Sequence, residues 1–242
     1  MSLAAGCAVA LPPPRETPTD EAQRGVALLA ARWQEFTDLR ALAEVRMARG
    51  NDRQQFTGAL LLKAPASLRF EALSPFGQPL LLATIHEGQI TIYNVAEHTA
   101  VVGPATAQTA ARLFHLAVEP DELVGVLAGR PVPPKDLRVA TVLPPDAQGR
   151  SLEMIGALHR QRVWMDFSTG VVRQIQITGG RVEALVTYQH AADGALTGFD
   201  LSAGQDNVTG SVRYRDVVVG AGVDPERFRL AIPQGAAIER LR

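Results

Sequence analysis

Polar and apolar residues alternate along much of this chain, which is the period of a half-buried β-strand. The clearest example is 67–72, where Leu68 and Phe70 fall on one side and charged or hydroxyl side chains fall on the other. Two runs before it, 39–49 and 55–63, predict the first two strands. We therefore expect a sheet with one face towards a core and one face towards water.

Helical spacing of apolar residues replaces this alternation in three places. An N-cap at Thr19 or Asp20 predicts a first helix that runs to about Phe36 and packs its apolar stripe on the sheet. Two short amphipathic helices are predicted within 104–119 and 120–129, the second beginning at a proline. Such a pair covers one end of a sheet as a lid, or it simply packs there, and both interpretations stay open.

The second half of the chain is a series of short strands separated by polar or glycine-containing turns. The runs are 137–143, 152–158, 162–167, 171–178, 181–189, 196–202 and 207–219. Taken with the first half, the pattern indicates roughly eleven antiparallel strands, and so many strands rarely stay flat. The predicted fold class is mainly β with a few helices: a strongly curved antiparallel sheet, or incomplete β-barrel, with an N-terminal helix and short lid helices.

A short loop after the third strand carries an apolar side chain at its tip. Pro75 and Pro79 cannot donate to a sheet ladder, and Gly77 between them permits a tight turn. Phe76 therefore has little nearby sequence to cover it. It either contacts something outside the protein or folds back onto its own domain.

Composition and charge narrow the classes of function. Among 242 residues, 46% are hydrophobic, which is ample for a core, and the formal net charge of −1 gives no basic field for nucleic acid. The single cysteine permits neither an internal disulfide nor a cysteine-based zinc cluster. The five histidines lack paired spacing, and no nucleophile elbow or phosphate loop occurs. We expect no metal, no cofactor and no catalytic residues.

The cysteine lies in a sequence that is similar to a lipobox. Small residues lead into Cys7, and a proline-rich stretch follows it. No basic segment or apolar core precedes these residues, so the signal peptide is incomplete in this sequence. The prediction is a lipobox remnant and tether over 1–19 and a single domain over 20–242. An ordinary free thiol is the alternative for Cys7.

Several segments, by their order and spacing, resemble the bacterial lipoprotein carrier and insertase family, LolA and LolB. They are Lys63-Ala64-Pro65, Leu68-Arg69-Phe70-Glu71, Ser74-Pro75-Phe76-Gly77, Gly88-Gln89-Ile90-Thr91-Ile92-Tyr93-Asn94 and the tail over 224–235. The carrier branch has a basic residue where Ala64 stands, so the resemblance is closer to the lipid-anchored insertase.

This resemblance implies a non-enzymatic, monomeric protein with an incomplete barrel that shelters acyl chains. It would receive a lipoprotein from a periplasmic carrier protein and insert it into the outer membrane. Cys7 would be the lipid anchor at the periplasmic face of that membrane, and Pro75, Phe76 and Gly77 would form the membrane-insertion loop. Two alternatives stay open: a carrier-like glycolipid-binding or lipid-binding lipoprotein without insertion activity, and an interaction subunit of an envelope complex that binds no lipid.

The apolar alternation of the strands assigns ten side chains to the acyl-chain cavity. They are Leu68, Phe70, Leu81, Ile85, Ile90, Ile92, Val163, Met165, Val182 and Val186. Ordinary core packing is the alternative for each of them.

Overall fold

The computed structural model describes residues 13–114, 117–179, 182–204 and 208–241. The helices are α1 (Asp20–Gln34), α2 (Ala107–Phe114) and α3 (Pro120–Leu127). The strands are β1 (Asp38–Arg49), β2 (Asp52–Lys63), β3 (Ser67–Leu73), β4 (Pro79–His86), β5 (Gln89–Asn94), β6 (Thr99–Pro104), β7 (Val139–Asp146), β8 (Gly149–Ile155), β9 (Arg160–Met165), β10 (Val172–Gly179), β11 (Val182–His190), β12 (Leu196–Ala203), β13 (Val208–Val219) and β14 (Ala237–Arg240).

All the strands belong to one 14-stranded sheet in the order β14-β6-β5-β4-β3-β2-β1-β13-β12-β11-β10-β9-β8-β7. Neighbours are antiparallel except β14 and β6, which pair in parallel. The order runs from one edge strand to the other without closing, so the predicted mainly-β, curved and unclosed antiparallel sheet with three helices is confirmed. The predicted count of roughly eleven strands is wrong. The pattern does not reveal β14, because its four residues are all exposed and show no apolar alternation.

The edge strand β7 extends further than the sequence predicts. The predicted run ends at Leu143, yet β7 continues through Pro144 and Pro145 to Asp146. The strand is the last in the sheet, and its pairing with β8 is irregular between Leu143 and Asp146. An edge position with a register shift tolerates proline, because no second ladder needs the missing N–H groups.

Glu87 and Gly88 form a two-residue hairpin turn between β4 and β5. Ile85 pairs with Ile90 across it, and both loop residues have positive φ, 48° and 75°. This is the backbone that a type I′ hairpin turn requires, and glycine adopts it without a steric penalty.

The core lies on one face of the sheet, here called the inner face, where the helices pack. Helix α1 begins at the predicted N-cap, the Thr19 hydroxyl, which accepts from the Ala22 N–H at 3.3 Å. It crosses β7 and β8. A Cβ atom added to Gly25 would lie 3.2 Å from the Phe167 ring and 3.3 Å from Leu152. The helix therefore packs on the sheet closely enough that a side chain at position 25 would force its neighbours to move.

The other face, here called the outer face, is covered over β2 to β4 by the C-terminal segment. Phe228 is fully buried against Leu61, and the Lys63 ammonium donates to the Val223 carbonyl at 2.6 Å. Arg69 donates to the carbonyls of two tail residues at 3.0 Å. The expectation that this face meets water is therefore wrong at these strands. A contact between residues some 160 positions apart in sequence has no signature in the strand's own pattern.

Residues after the predicted lipobox run along the start of β7. Arg15 pairs with Asp136 at 2.6 Å, and the Glu16 N–H donates to the Arg138 carbonyl at 2.8 Å. Cys7 lies outside the described residues, so the anchor and the division at residue 19 stay predictions. Among the helices that the structure describes, none has both the length and the apolar character needed to cross a membrane.

Candidate functional site

An apolar cavity of about 200 Å³ lies between α3 and the strands β3, β4 and β5. Its lining consists of Leu68, Phe70, Ala83, Thr84, Ile85, Ile90, Leu123 and Leu127. No charged side chain belongs to this lining. Four of the ten predicted cavity residues, Leu68, Phe70, Ile85 and Ile90, are among them.

Strand register explains why these residues meet. Leu68 pairs with Ile85, and Ile85 pairs with Ile90, so the three form one row across β3, β4 and β5. Directly opposed residues of antiparallel strands point to the same face of a sheet. From the other side, α3 contributes Leu123 and Leu127, which are four positions apart and therefore share one face of the helix.

The Phe70 ring forms one wall of the cavity, and a glycine on the neighbouring strand makes room for it. A Cβ atom at Gly58 would overlap the ring, so the side chain lies directly against the β2 backbone. Phe56 meets the same ring edge-on, with the centroids 6.1 Å apart. The position of the wall is thus set by packing on β2 rather than by the cavity itself.

The cavity volume limits what can enter without movement. An apolar cavity of roughly 150 Å³ holds one benzene-sized molecule, and drug-sized ligands occupy pockets of roughly 300–1,000 Å³. The 200 Å³ cavity therefore accommodates a short hydrocarbon segment but not several acyl chains. Next to it, a gap of only about 10 Å³ separates Ile85 and Ile90 from α2 and α3. The helix pair thus closes the space above β4 and β5.

The remaining predicted cavity residues lie elsewhere. Leu81 and Ile92 are half-buried on the same inner face, and Ile92 packs against the main core. Val163, Met165 and Val186 are buried within that core and are not part of the cavity lining. The side chain of Val182 lies outside the part of the chain that the structure describes.

Helix α3 is held at its N-terminal end by a buried polar cluster. One Glu122 carboxylate oxygen accepts from Gln161 Nε2 at 3.1 Å and lies 3.2 Å from His159 Nε2. The other accepts from the Glu119 N–H at 2.8 Å, closing a capping box. The carboxylate, imidazole and amide are all buried. The sequence does not reveal this cluster, because Glu122 and Gln161 are 39 positions apart and belong to no motif.

Two buried tyrosines hold the C-terminal end of the same helix. The Tyr188 hydroxyl donates to the Val126 carbonyl at 2.9 Å, and the Tyr214 hydroxyl donates to the Leu127 carbonyl at 2.8 Å. These carbonyls belong to the last turn of α3, where intrahelical partners are missing. Burial raises the pKa of both hydroxyls above the ordinary tyrosine range. Both tyrosines therefore stay protonated donors at neutral pH, and α3 is fixed to the sheet at each end.

The loop between β3 and β4 presents Phe76 to solvent. Its side chain is 90% exposed, so Phe76 does not fold back onto the domain. Hydrogen bonds to a side chain hold the loop backbone: Ser74 Oγ accepts from the N–H groups of Phe76 and Gln78 at 3.3 and 3.1 Å. Gly77 has φ +77°, which an L-residue rarely adopts. Serine and glycine thus fix the loop while leaving the ring exposed.

No trio of histidine, cysteine, aspartate or glutamate within the described ranges is arranged to hold a metal ion.

No protein-family model matches this sequence, and no curated protein matches it. Solved structures share the fold. A domain from Vibrio parahaemolyticus named for outer membrane lipoprotein sorting superposes with a TM-score of 0.59 and 13% identity, covering 86% of this chain and 97% of that one. A LolA superfamily protein from Nitrosomonas europaea superposes with a TM-score of 0.59 and 9% identity, covering 86% of this chain and 97% of that one. A DUF1329 family protein from Desulfovibrio piger superposes with a TM-score of 0.59 and 12% identity, covering 87% of this chain and 98% of that one. At these identities, the similarity is one of fold.

Proposed function

We propose that this protein binds the acyl chains of a lipoprotein or another lipid beneath α3, and passes them to the outer membrane. The observation that carries this proposal is the cavity under α3, whose lining contains no charged side chain. The shared fold supports it, because one of the similar structures is named for outer membrane lipoprotein sorting and another belongs to the LolA superfamily. Binding and release of a lipid need no catalytic residue.

The energetics of transfer fit such a role. Each buried methylene contributes about 0.8 kcal/mol, so an acyl chain in an apolar cavity approaches the stability that it has in a bilayer. A small difference in the free energy of the acyl chain between the cavity and the bilayer then decides the direction of transfer. The exposed Phe76 favours delivery, and hence the insertase branch of the proposal, because it offers an apolar contact to the acceptor membrane.

Lipid capture is the test of the binding site. Ala83 lies in the cavity lining, so Ala83→Phe should fill the cavity and lower the amount of bound lipid at least roughly tenfold. The measurement is lipid extraction and native mass spectrometry of the purified protein. Overpacking costs about 1–3 kcal/mol, so thermal unfolding is followed in parallel.

The matched control is Ala27→Phe, which adds the same ring at an exposed position on α1. This variant should keep its lipid. If a folded Ala83→Phe protein bound as much lipid as the wild type, the proposed site would be contradicted. A wild-type protein that carries no lipid from cells and takes up none when it is offered would instead favour an interaction subunit of an envelope complex.

We further propose that Cys7 is acylated and anchors the protein at the periplasmic face of the outer membrane. Several acyl chains are sufficient for stable anchoring. Membrane fractionation of the full-length protein should recover it with the outer membrane, whereas Cys7→Ser should move it to the soluble fraction. Finding both forms in the soluble fraction would contradict the anchor and leave the cavity proposal intact.

A further inference from the structure

A second candidate site lies on the outer face near the tip of the β1–β2 hairpin. An open cleft of about 540 Å³ spans β2, β1 and β13 there. In the strand register, Arg46 is opposite Gln55 and Ser211, and the next row contains Arg53 opposite Ala48. These side chains share one face, opposite to that of the buried Val45. Arg46 and Arg53 are diagonal neighbours, at the spacing of roughly 7–8 Å that lets long side chains converge.

The two arginines are exposed and lack acidic partners. No residue that lines the cleft is acidic, and neither guanidinium forms an ion pair or a hydrogen bond within the described residues. On the same face nearer the centre of the sheet, the arginines are neutralised instead. Arg213 pairs with Asp200 and Arg215 pairs with Glu44, both at 2.7 Å. Arg46 and Arg53 are therefore unpaired within the described residues, and an external anion can reach both side chains.

The cleft lies at the same end of the sheet as the exposed loop. Leu73, the last residue of β3, pairs with Thr57, and Arg53 lies four residues further towards the hairpin tip. At about 3.3 Å per residue, Arg53 extends roughly 13 Å beyond the end of β3. The loop that carries Phe76 leaves β3 in the same direction. The exposed side chain of Met47 also lies at the hairpin.

We propose that Arg46 and Arg53 bind the phosphate groups of anionic phospholipids when the Phe76 loop meets a bilayer. Apolar side chains flanked by cations are the combination that favours an anionic membrane interface. The guanidinium group suits this role because its planar donors match phosphate oxygens. The contact would orient the sheet end-on to the membrane. This inference rests on the membrane contact in the proposed function and adds to it a lipid headgroup class.

Vesicle partition tests the inference. The full chain carries Cys7→Ser throughout so that acylation does not contribute, and vesicles are phosphatidylcholine alone or with about one third phosphatidylglycerol. Each arginine near an anionic surface contributes about 1 kcal/mol, so Arg46→Gln with Arg53→Gln should lower partition onto the anionic vesicles roughly 30-fold. The loss should disappear in about 1 M salt, where charges are screened beyond about 3 Å.

The control is Arg24→Gln with Arg40→Gln, which removes the same charge from exposed positions on α1 and at the opposite end of β1. It should partition like the wild type. Equal partition of the cleft variant and the wild type on anionic vesicles would overturn the inference and leave an acidic protein surface as the other class of partner. Tight binding of inorganic phosphate in the absence of vesicles would overturn it in favour of a soluble anion. Lipid capture in the cavity is measured separately, so its failure is distinguishable.

Discussion

Replacing Phe76 with glutamate should leave lipid loading intact and lower delivery to liposomes roughly tenfold or more. Transfer of a phenylalanine side chain from water into an apolar phase gains about 1.5–3 kcal/mol, and each 1.4 kcal/mol is a factor of about ten. That gain is too small to anchor a protein but sufficient to orient one that is already tethered. The ring is 90% exposed in a loop fixed by Ser74 and Gly77, so its loss should cost little stability.

The measurement loads wild-type and Phe76→Glu proteins with the same lipidated client and follows client transfer to liposomes. Val219→Glu is the matched control, because it introduces the same charge at an exposed apolar residue near the opposite end of the sheet. This control should deliver normally. Equal delivery by Phe76→Glu would rule out the insertase branch and leave a lipid-binding lipoprotein. A large drop in its melting temperature would show that the ring supports the fold.

Strand alternation places four of the ten predicted cavity residues around one apolar cavity. It identifies which side chains share a face, and adjacent hairpins bring Leu68, Ile85 and Ile90 into one row without further information. It does not say which part of that face a helix covers closely. Val163 and Met165 follow the same alternation, yet they lie in the closed core rather than at the cavity. Where a face is filled and where it stays open depends on helix docking, which is a tertiary property.

The helix side of the site was less predictable for the same reason. The sequence predicted α3 from its proline and acidic first turn, but not the sheet residues that hold it. Glu122 meets Gln161 because the start of β9 lies near the N-terminal end of the helix. Tyr188 on β11 and Tyr214 on β13 reach the carbonyls at its other end. Each partner is a single residue far away in sequence. Long-range contacts of this kind leave no local pattern to read.

A cavity of about 200 Å³ is too small for several acyl chains, so we expect α3 to move when lipid enters. The hydroxyls of Tyr188 and Tyr214 hold the C-terminal end of α3 down. Tyr188→Phe with Tyr214→Phe removes both hydrogen bonds while keeping the rings. Each bond contributes about 1 kcal/mol, so the free energy of unfolding should fall by about 2 kcal/mol.

Lipid uptake by this double variant should become faster, by up to roughly 30-fold, because the same 2 kcal/mol favours the position in which α3 is released. Stopped-flow fluorescence with an acyl-chain probe gives the rate, and chemical denaturation gives the stability. Tyr93→Phe is the control. This buried tyrosine lies on β5, away from the end of α3, and its hydroxyl forms a hydrogen bond with His98 Nδ1 at 2.7 Å. It should lose stability without a change in uptake. If the double variant loses stability but takes up lipid at the wild-type rate, α3 does not open, and chains must enter the cavity along another path.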